Sequence, residues 1–491
     1  MSSREAYLAA RVLNALLRED YGGLAARVTR TRDGVGLTLA DGRWVRLRPG
    51  LLFQDFEVAQ DESLGLEQVL ETLAEVADPA DAGGVAAFFE ECLAALGALE
   101  LHDEVAHEVL RSGPSYETLA AFLDHPVYPT SRARVGLSEA ELRAYAPEFG
   151  PSFELRWAVV PRELLAPGSA ELPAEVAPFE GEVLFPVHPL AVPEVRRIDW
   201  VRVLDAAAVT VRPTLSMRTV EVSPRLHLKL PIPVSTLGLR NRRSLKPGTL
   251  ADGARAELLL RELAGPDVVL ADEQTYAETG DEHLAWMVRR LPEGKIVPVA
   301  ALNAPGVLAE LGDVLPAYLR LLLRWNVRLF VRHGVALEAH QQNLALLFAP
   351  DGRMRLLVKD NDGLLASPSR LRASGVEVPG FADERLLNDD PHALADVFVT
   401  ITLHLAAASV AFGALPHAEA AALLRDTLAE ALDEYGDDPM ARLLRARTLD
   451  AARLTGKSMV TAGTLVAKER SGARDINKFY GTSGPNYLRR A

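Results

Sequence analysis

The sequence predicts an α+β fold in which a β-rich middle region is followed by a helix-rich C-terminal region. Three observations carry this prediction: short runs of alternating apolar and polar residues, the Pro and Gly residues that separate these runs, and long C-terminal segments with apolar residues at helical spacing. We expect three units, which span residues 1–140, 141–300 and 301–491.

The first unit is predicted to combine a small sheet with helices. An opening helical pattern leads into short alternating runs, in which the pairs Asp33-Gly34 and Asp41-Gly42 are typical of hairpin turns. Residues 64–122 then carry apolar positions at helical spacing. The unit should therefore be a β-meander followed by a helical group.

Composition disfavours nucleic acid as a partner and excludes intramolecular disulfides. The chain has 491 residues and a net charge of −14, whereas binding to a phosphate backbone requires a basic face. A single cysteine, Cys92, cannot form an intramolecular disulfide.

The sequence also predicts a cytoplasmic protein with no membrane partner. The charged N-terminal segment lacks the unbroken apolar run of a signal peptide. The most apolar stretch, near residues 401–415, is shorter than the roughly 20 residues that a transmembrane helix requires.

The sharpest local feature is a hairpin in the C-terminal unit. The strand-like runs LALLFAP and RMRLLVK flank the turn Asp351-Gly352. If the turn has two residues, antiparallel pairing places Asn343 opposite Asp360 at the open end of the hairpin.

Several oxygen ligands are expected to converge at this open end. Mg²⁺ prefers carboxylates together with substrate phosphates. The alternative is an open end that is only solvated. The predicted magnesium ligands are Glu338, Asn343, Asp360 and Asp362.

A cationic face is predicted on the run RLHLKL in the middle unit. Because side chains alternate along a strand, Arg225, His227 and Lys229 share one face. Ser216 and Arg218 share a face of the preceding strand. Arginine forks, a lysine charge and hydroxyl groups suit a triphosphate or a polycarboxylate. The alternative is a basic outer sheet face exposed to solvent.

A proline-containing loop over residues 124–136 adds further cations. Pro126 and Pro129 preset its backbone, so His125 and Arg132 can reach a phosphate at a small entropic cost. A purely structural loop is an equally good interpretation of this segment.

Taken in order, these segments resemble the NRPS-independent siderophore synthetases, the aerobactin-synthetase-like IucA/IucC enzymes. Residues 125–136 resemble the family's His-Pro-x-His-Pro-x-x-Lys-x-Arg-x-Gly, and residues 216–219 its Ser-x-Arg-Thr. Residues 229–230 are similar to its Lys-Leu strand, residues 338–343 to its Glu-x-His-x-Gln-Asn, and residues 359–363 to its Arg-Asp-x-Asp-Gly. Tyr128, Arg132 and Lys359 depart from the family's His, Lys and Arg.

The resemblance implies a cupped hand in which residues 1–140 are the thumb, 141–300 the fingers and 301–491 the palm. It also implies a homodimer. The implied ATP-binding residues are His125, Arg132, Ser216, Arg218, Thr219 and Lys229. The implied carboxylate-binding residues are Thr236, Arg240, His340 and Lys457. The implied catalytic residues are Arg218, Lys229 and His340.

The function implied by the resemblance is that of an acyl-adenylate-forming ligase. With ATP and Mg²⁺, such an enzyme would adenylate a polycarboxylate such as citrate and join it to an amine or hydroxyl, with release of AMP and pyrophosphate.

Two alternatives remain open at the sequence level. One is an ADP-forming small-molecule phosphotransferase, because His340, Asn343 and the acids after the hairpin are similar to the metal-binding loop of kinases. However, the chain has no Asp two residues after His340 and no Gly-rich phosphate loop upstream. The other is a polycarboxylate- or siderophore-binding protein without catalysis.

Overall fold

A long opening helix shares a core with a small sheet and two further helices in the N-terminal region. The computed structural model describes residues 2–32, 34–172, 180–472 and 479–489. Ser2 caps the first helix by accepting a hydrogen bond from the backbone N–H of Glu5. The elements are α1 (Ser3–Arg18), β1 (Thr29–Thr31), β2 (Gly34–Thr38), β3 (Trp44–Pro49), β4 (Phe56–Val58), α2 (Leu66–Val76), α3 (Ala82–Arg111), α4 (Tyr116–Ala121) and α5 (Glu139–Tyr145).

The predicted β-meander is confirmed. Strands β1 to β4 are neighbours in sequence order, and each pair is antiparallel. The turn between β2 and β3 contains Asp41 and Gly42, and Gly42 has a φ of 83°, which favours glycine. The other predicted turn includes Asp33, which lies outside the described residues.

The middle region is dominated by antiparallel strands. Its elements are β5 (Phe153–Pro161), β6 (Glu182–Val187), α6 (Val192–Val195), β7 (Arg202–Pro213), β8 (Thr219–Ser223), β9 (Leu226–Lys229), α7 (Thr249–Leu263), β10 (Val268–Leu270), β11 (Asp272–Glu278), β12 (Ala285–Arg290) and β13 (Lys295–Pro298). In the described part of this region, seven strands form one sheet in the order β11-β12-β9-β8-β7-β5-β6. Buried Leu155, Phe185 and Trp286 belong to its core.

The C-terminal region is rich in helices, as predicted. Its helices are α8 (Val307–Leu311), α9 (Leu315–Arg328), α10 (Pro368–Ala373), α11 (Pro391–Val397), α12 (Ser409–Ala414), α13 (His417–Asp433), α14 (Pro439–Thr448) and α15 (Lys468–Ser471). Its strands are β14 (Val335–Leu337), β15 (Leu344–Phe348), β16 (Met354–Val358), β17 (Leu364–Ala366), β18 (Arg453–Gly456) and β19 (Thr482–Pro485).

The sheet around the predicted hairpin crosses the expected unit boundary at residue 300. Strands β10 and β13 precede that boundary, yet they pair with β16 and β15 in the order β10-β16-β15-β13. The three-unit division remains a prediction.

The predicted hairpin is present, but its predicted register is wrong by one residue. Ala349 and Arg353 flank a three-residue loop, so Asn343 pairs with Lys359 rather than with Asp360. Gly352 has a φ of 77° and occupies the left-handed position that closes such a loop. A two-residue turn would have shifted all side chains of one strand to the opposite face.

The most apolar helical segment is longer than the sequence pattern suggested. Residues 391–414 are continuously helical, because an 11-residue π-helix, Phe398–Ala408, joins α11 to α12. This 24-residue segment and Pro79–Arg111 are long and apolar enough to span a membrane. The expectation that the most apolar stretch is too short to span a membrane was therefore wrong. However, 78% of the most apolar 18 residues of the segment 391–414 is buried inside the protein, as in the core helix of a soluble protein.

A pair of adjacent glycines tests how closely α3 packs on the C-terminal region. A Cβ atom on Gly84 would lie 1.9 Å from the carbonyl oxygen of Leu465, whereas a Cβ on Gly83 would meet nothing within 4 Å. We expect Gly84→Ala to lower the free energy of unfolding by about 1–3 kcal/mol. Gly83→Ala should be neutral or stabilise by up to about 1 kcal/mol, because alanine favours the helix. Urea unfolding of both variants measures the difference, and equal values would contradict the close packing.

Candidate active site

A cleft of about 690 Å³ lies where three parts of the chain meet. Its walls come from the loop of residues 124–136, the segments that follow β7 and β9, and the open end of the β15–β16 hairpin. Almost all predicted site residues line this cleft. The exceptions are Thr219 and Lys229, which lie behind its surface.

Lys229 is the central cation of the site. Its side chain is 1% exposed, and its Nζ donates hydrogen bonds to one carboxylate oxygen each of Asp360 and Asp362, at 3.0 Å for Asp362. The interaction joins the end of β9 to the segment that follows β16. Burial raises the pKa of Asp360, but the nearby charges of Lys229, Arg289 and Arg218 outweigh burial and hold that pKa well below its usual range.

The predicted cationic face is partly correct. His227 and Lys229 pair with Arg289 and Met287 of β12 and share one face, and that face is buried rather than solvated. Ser216 and Arg218, however, lie in a turn before β8 and not on a strand. Met217 between them has a φ of 58°, so the alternation expected for a strand does not apply there.

A second group of polar residues surrounds Arg243, which sequence reasoning missed. The Nε of Arg243 donates to the hydroxyl of Thr236, and the charge of Arg243, after desolvation, helps to lower the pKa of His340. Desolvation, with the charges of Arg218 and Arg134, lowers the pKa of Arg243 to about 9. A guanidinium whose charge is so poorly neutralised favours an anionic ligand.

The signal for Arg243 was present in the sequence but did not distinguish it from its neighbours. Residues 240–243 read Arg-Asn-Arg-Arg, and we selected Arg240. In the structure, the Nη1 of Arg240 donates to the carbonyl oxygen of Ala462, at 3.1 Å. Part of its hydrogen-bonding capacity therefore serves the short π-helix Thr461–Leu465.

Both predicted histidines are neutral hydrogen-bonding groups. Desolvation lowers the pKa of His340 to about 4 and that of His125 to about 3. The Nδ1 of His340 accepts from the backbone N–H of Gln342, and the Nδ1 of His125 accepts from that of Tyr128. Each Nε2 therefore carries the proton of the neutral ring.

Arg132 and Ser216 make hydrogen bonds that stabilise the loops around the cleft. The guanidinium of Arg132 donates to Asp124 and to the carbonyl oxygen of Phe122, and its Nη1 lies 3.1 Å from His102. The hydroxyl of Ser216 accepts the backbone N–H of Thr219 at 3.0 Å.

The four predicted magnesium ligands are not arranged around one common metal position. Asp360 and Asp362 converge on Lys229, whereas Glu338 lies 3.5 Å from the Nζ of Lys457. In the described ranges, no group of three or more His, Cys, Asp or Glu side chains is arranged to hold a metal ion. Asp360 and Asp362 still fit Mg²⁺, which often binds one or two carboxylates and completes its shell with phosphates and water.

Of the three departures from the family motifs, Arg132 lines the cleft, whereas Tyr128 and Lys359 do not. Tyr128 is fully buried, and its hydroxyl lies 3.5 Å from the hydroxyl oxygen of Thr464 in the N-terminal core. Lys359 is 7% exposed and pairs with Glu117, at 3.2 Å. Arg132 supports its own loop, as described above.

Comparisons with protein families identify part of this chain. Residues 115–304 match the model of the IucA / IucC family. Over these residues the chain is similar to the IucA / IucC family. Residues 315–468 match the model described as ferric iron reductase FhuF-like transporter. The family predicted from the motifs is therefore confirmed.

Curated relatives are similar to this chain over part of their length. Uncharacterized protein y4xN of Sinorhizobium fredii is 27% identical over 320 residues, 50% of each chain. Staphyloferrin B synthase of Staphylococcus aureus is 24% identical over 362 residues, 58% of this chain and 61% of the relative. L-2,3-diaminopropanoate–citrate ligase of the same species is 25% identical over 308 residues, 50% and 53% of the two chains. The matched region spans about half to three fifths of these relatives.

Solved structures share the fold of this chain over almost its whole length. Petrobactin biosynthesis protein AsbB of Bacillus anthracis has a TM-score of 0.77 at 17% identity and covers 100% of this chain and 96% of its own. ATP-bound aerobactin synthetase IucA of Klebsiella pneumoniae has a TM-score of 0.73 at 18% identity. The match covers 98% of this chain and 99% of that structure's chain. The mixed α and β fold is confirmed, whereas the thumb, fingers and palm remain a prediction.

The Lys229 interaction makes the stability of the protein depend on pH. Replacing Lys229 by Met leaves two carboxylates without their cation, which at pH 7 should cost about 3–5 kcal/mol. The pKa of Asp360 is depressed in the folded protein, so its stabilising contribution is present above the unfolded pKa of about 3.9 and is lost as the pH falls. The difference between wild type and variant should therefore shrink on acidification.

Chemical denaturation at pH 7 and at about pH 2.5, below the unfolded pKa, measures this difference. The control is Lys295→Met, which removes an exposed pair with Glu310 and should change stability by less than about 1 kcal/mol at either pH. A difference for Lys229→Met that stays constant with pH would contradict the assigned interaction.

Proposed function

We propose that this protein is an ATP-dependent synthetase that activates a carboxylic acid as an acyl adenylate and joins it to an amine or hydroxyl in siderophore biosynthesis. One observation carries the proposal: in a chain with a net charge of −14, the cleft places Arg218 and Arg243 near the buried Lys229–Asp360–Asp362 group. Such a site combines donors for phosphate and carboxylate with acids for a divalent cation. The names of the curated relatives support a ligase in siderophore synthesis.

The nucleotide would bind against the middle sheet. Arg218 offers a forked donor at the cleft wall, and Lys229 offers a point charge behind it. His125, Arg132, Ser216 and Thr219 complete the proposed ATP site, the last three mainly by shaping its loops. The ATP-bound aerobactin synthetase IucA, which has the same fold, supports ATP as the nucleotide.

Asp360 and Asp362 are the proposed magnesium ligands. When bound, Mg²⁺ would neutralise phosphate charge and so favour nucleophilic attack at phosphorus. Glu338 and Asn343 line the same cleft and remain candidate ligands through water.

The acid would bind beside Arg243. The hydroxyl of Thr236 accepts from Arg243, so its own hydrogen is available to donate to a carboxylate. His340 offers its Nε2–H as a second donor. Arg240 and Lys457 line the same cleft, so the proposed group carries several positive charges and suits a polycarboxylate such as citrate.

The first chemical step would be attack of a substrate carboxylate oxygen on the α-phosphorus of ATP. The bond to pyrophosphate breaks, and the acyl adenylate forms. Arg218 and Lys229 are positioned to stabilise charge that develops on the phosphate oxygens. Most of the catalysis would come from positioning.

The second step would be attack of an amine nitrogen or hydroxyl oxygen on the acyl carbonyl. The bond from the carbonyl carbon to AMP breaks, and the proton of the nucleophile passes to solvent or to the phosphate of the departing AMP. With Nδ1 engaged and Nε2 protonated, His340 is suited to donate to the acyl oxygen rather than to remove a proton. We therefore propose a positioning role for His340.

The nucleotide product tests this function directly. ATP, Mg²⁺ and a panel of polycarboxylates with hydroxylamine as a surrogate nucleophile should yield AMP and pyrophosphate. Asp360→Asn should lower the rate at least about 100-fold, because it removes a carboxylate from the proposed metal site. The control is Asp351→Asn, an exposed acid in the hairpin turn that should retain wild-type activity.

The other outcomes separate the alternatives. ADP as the product would indicate a phosphotransferase. Tight binding of a polycarboxylate without any nucleotide turnover would indicate a binding protein.

The assignment of the acid site predicts different effects for neighbouring arginines. Arg243→Lys removes the planar fork and should raise the KM for the acid about 10- to 100-fold with little change in the KM for ATP. Arg240→Lys should have a smaller effect, because part of its guanidinium already binds Ala462. Arg242→Lys, at an exposed position beside Glu282, is the matched control. A larger effect at Arg240 than at Arg243 would favour Arg240, the residue that the family resemblance implied, as the arginine that binds the carboxylate.

A further inference from the structure

We propose that Glu273 and Arg289, on neighbouring strands of the middle sheet, are positioning residues that hold Asp360 in the conformation that receives the nucleotide. Neither residue belongs to a motif recognised in the sequence, and neither lines the cleft. The inference rests on the proposed function, because it assigns the pair to the nucleotide site.

A β-bulge places the two side chains together. Asp272 pairs with Arg290 and Thr275 with Val288, so two residues of β11, Glu273 and Gln274, lie opposite the single Arg289 of β12. A bulge redirects a side chain that regular pairing would aim elsewhere. The backbone N–H of Glu273 donates to Glu257 of α7, at 2.7 Å, which stabilises the irregular backbone.

The carboxylate of Glu273 holds the backbone at Asp360. One oxygen accepts the N–H of Asp360 at 2.8 Å, and the other lies 3.4 Å from the N–H of Asn361. Asp360 has a φ of 64°, an uncommon conformation for a residue with a side chain. Such a conformation persists where the surrounding structure maintains it, and Glu273 supplies that constraint.

Arg289 balances the charges around Asp360. Its Nε donates to Glu273, and its Nη2 lies 3.7 Å from the Oδ1 of Asp360, beyond hydrogen-bond distance. This Nη2 is buried and has no hydrogen-bond partner among the residues that the structure describes. Because Arg289 donates its hydrogen bond to Glu273, it does not draw the carboxylate of Asp360 toward itself. That carboxylate accepts from Lys229 instead.

Loss of the Glu273 charge should therefore misplace Asp360. In Glu273→Gln, the nearest remaining acid for Arg289 is Asp360, so the carboxylate should turn away from Lys229 and from the cleft. A buried group that is displaced by a fraction of an ångström loses much of its interaction with a ligand.

The experiment measures ATP affinity by isothermal titration calorimetry with Mg²⁺ present, together with the unfolding midpoint of each variant. We expect Glu273→Gln to weaken ATP binding about tenfold or more while the affinity for the acid changes less than about twofold. Glu278→Gln is the matched control. Glu278 lies on the same strand, is 3% exposed and accepts the N–H of Gly248, without contact to Asp360.

Combining substitutions tests whether Glu273 acts through Asp360. In an Asp360→Asn background, Glu273→Gln should weaken ATP binding by no more than about twofold further, because the group it positions has already changed. If the two effects multiplied as for independent sites, positioning through Asp360 would be excluded.

The possible outcomes distinguish this inference from the proposed function. If wild type binds no nucleotide, the proposed function fails. If wild type and Glu273→Gln bind ATP equally, while Glu273→Gln and the control Glu278→Gln lose similar amounts of stability, only the inference is overturned. Glu273 and Arg289 would then have a purely structural role. Should Glu273→Gln not fold, Arg289→Lys provides the test: it retains the charge, and unchanged ATP affinity in that variant would equally overturn the inference.

Discussion

The burial of one lysine between two aspartates constrains how the middle sheet and the C-terminal hairpin meet. Moving three charged groups out of water costs free energy, and a well-packed apolar group of similar volume often stabilises a protein as much. Stability alone therefore gives little reason for Lys229, Asp360 and Asp362 to lie together. A site that must receive anionic phosphate and a divalent cation does give such a reason, because it needs both signs of charge at one place.

The remaining walls of the cleft are held by charged residues of the first helix. Arg11 and Arg18 donate to carbonyl oxygens in the loop of residues 125–129. The next residue, Glu19, accepts the backbone N–H groups of Val460 and Thr461 from the opposite end of the sequence. Helix α1 and its C-cap residue therefore position a cleft loop and a short helix that are more than 300 residues apart, although α1 itself carries none of the proposed ligands.

Local patterns in the sequence predicted the presence of hairpin turns, but they did not predict the exact pairing of the strands on either side. The Asp41-Gly42 and Asp351-Gly352 pairs both marked real hairpin turns, because their backbone requirements are local. The loop at Gly352 has three residues instead of two, and the sequence pair alone does not distinguish the two lengths. That single residue moved Asn343 from Asp360 to Lys359, so the hairpin was predicted but its register was not.

The least predictable residues are those whose roles depend on contacts distant in sequence. Arg240 and Arg243 are close neighbours in a basic run. The short π-helix Thr461–Leu465 distinguishes them, because its carbonyl oxygen at Ala462 accepts a hydrogen bond from Arg240. Glu273 is separated from Asp360 by 87 positions, and the bulge that aims it arises from a mismatch between two strands. Motifs thus reveal groups that face a ligand, whereas the groups that hold them in place become visible only when the backbone path is known.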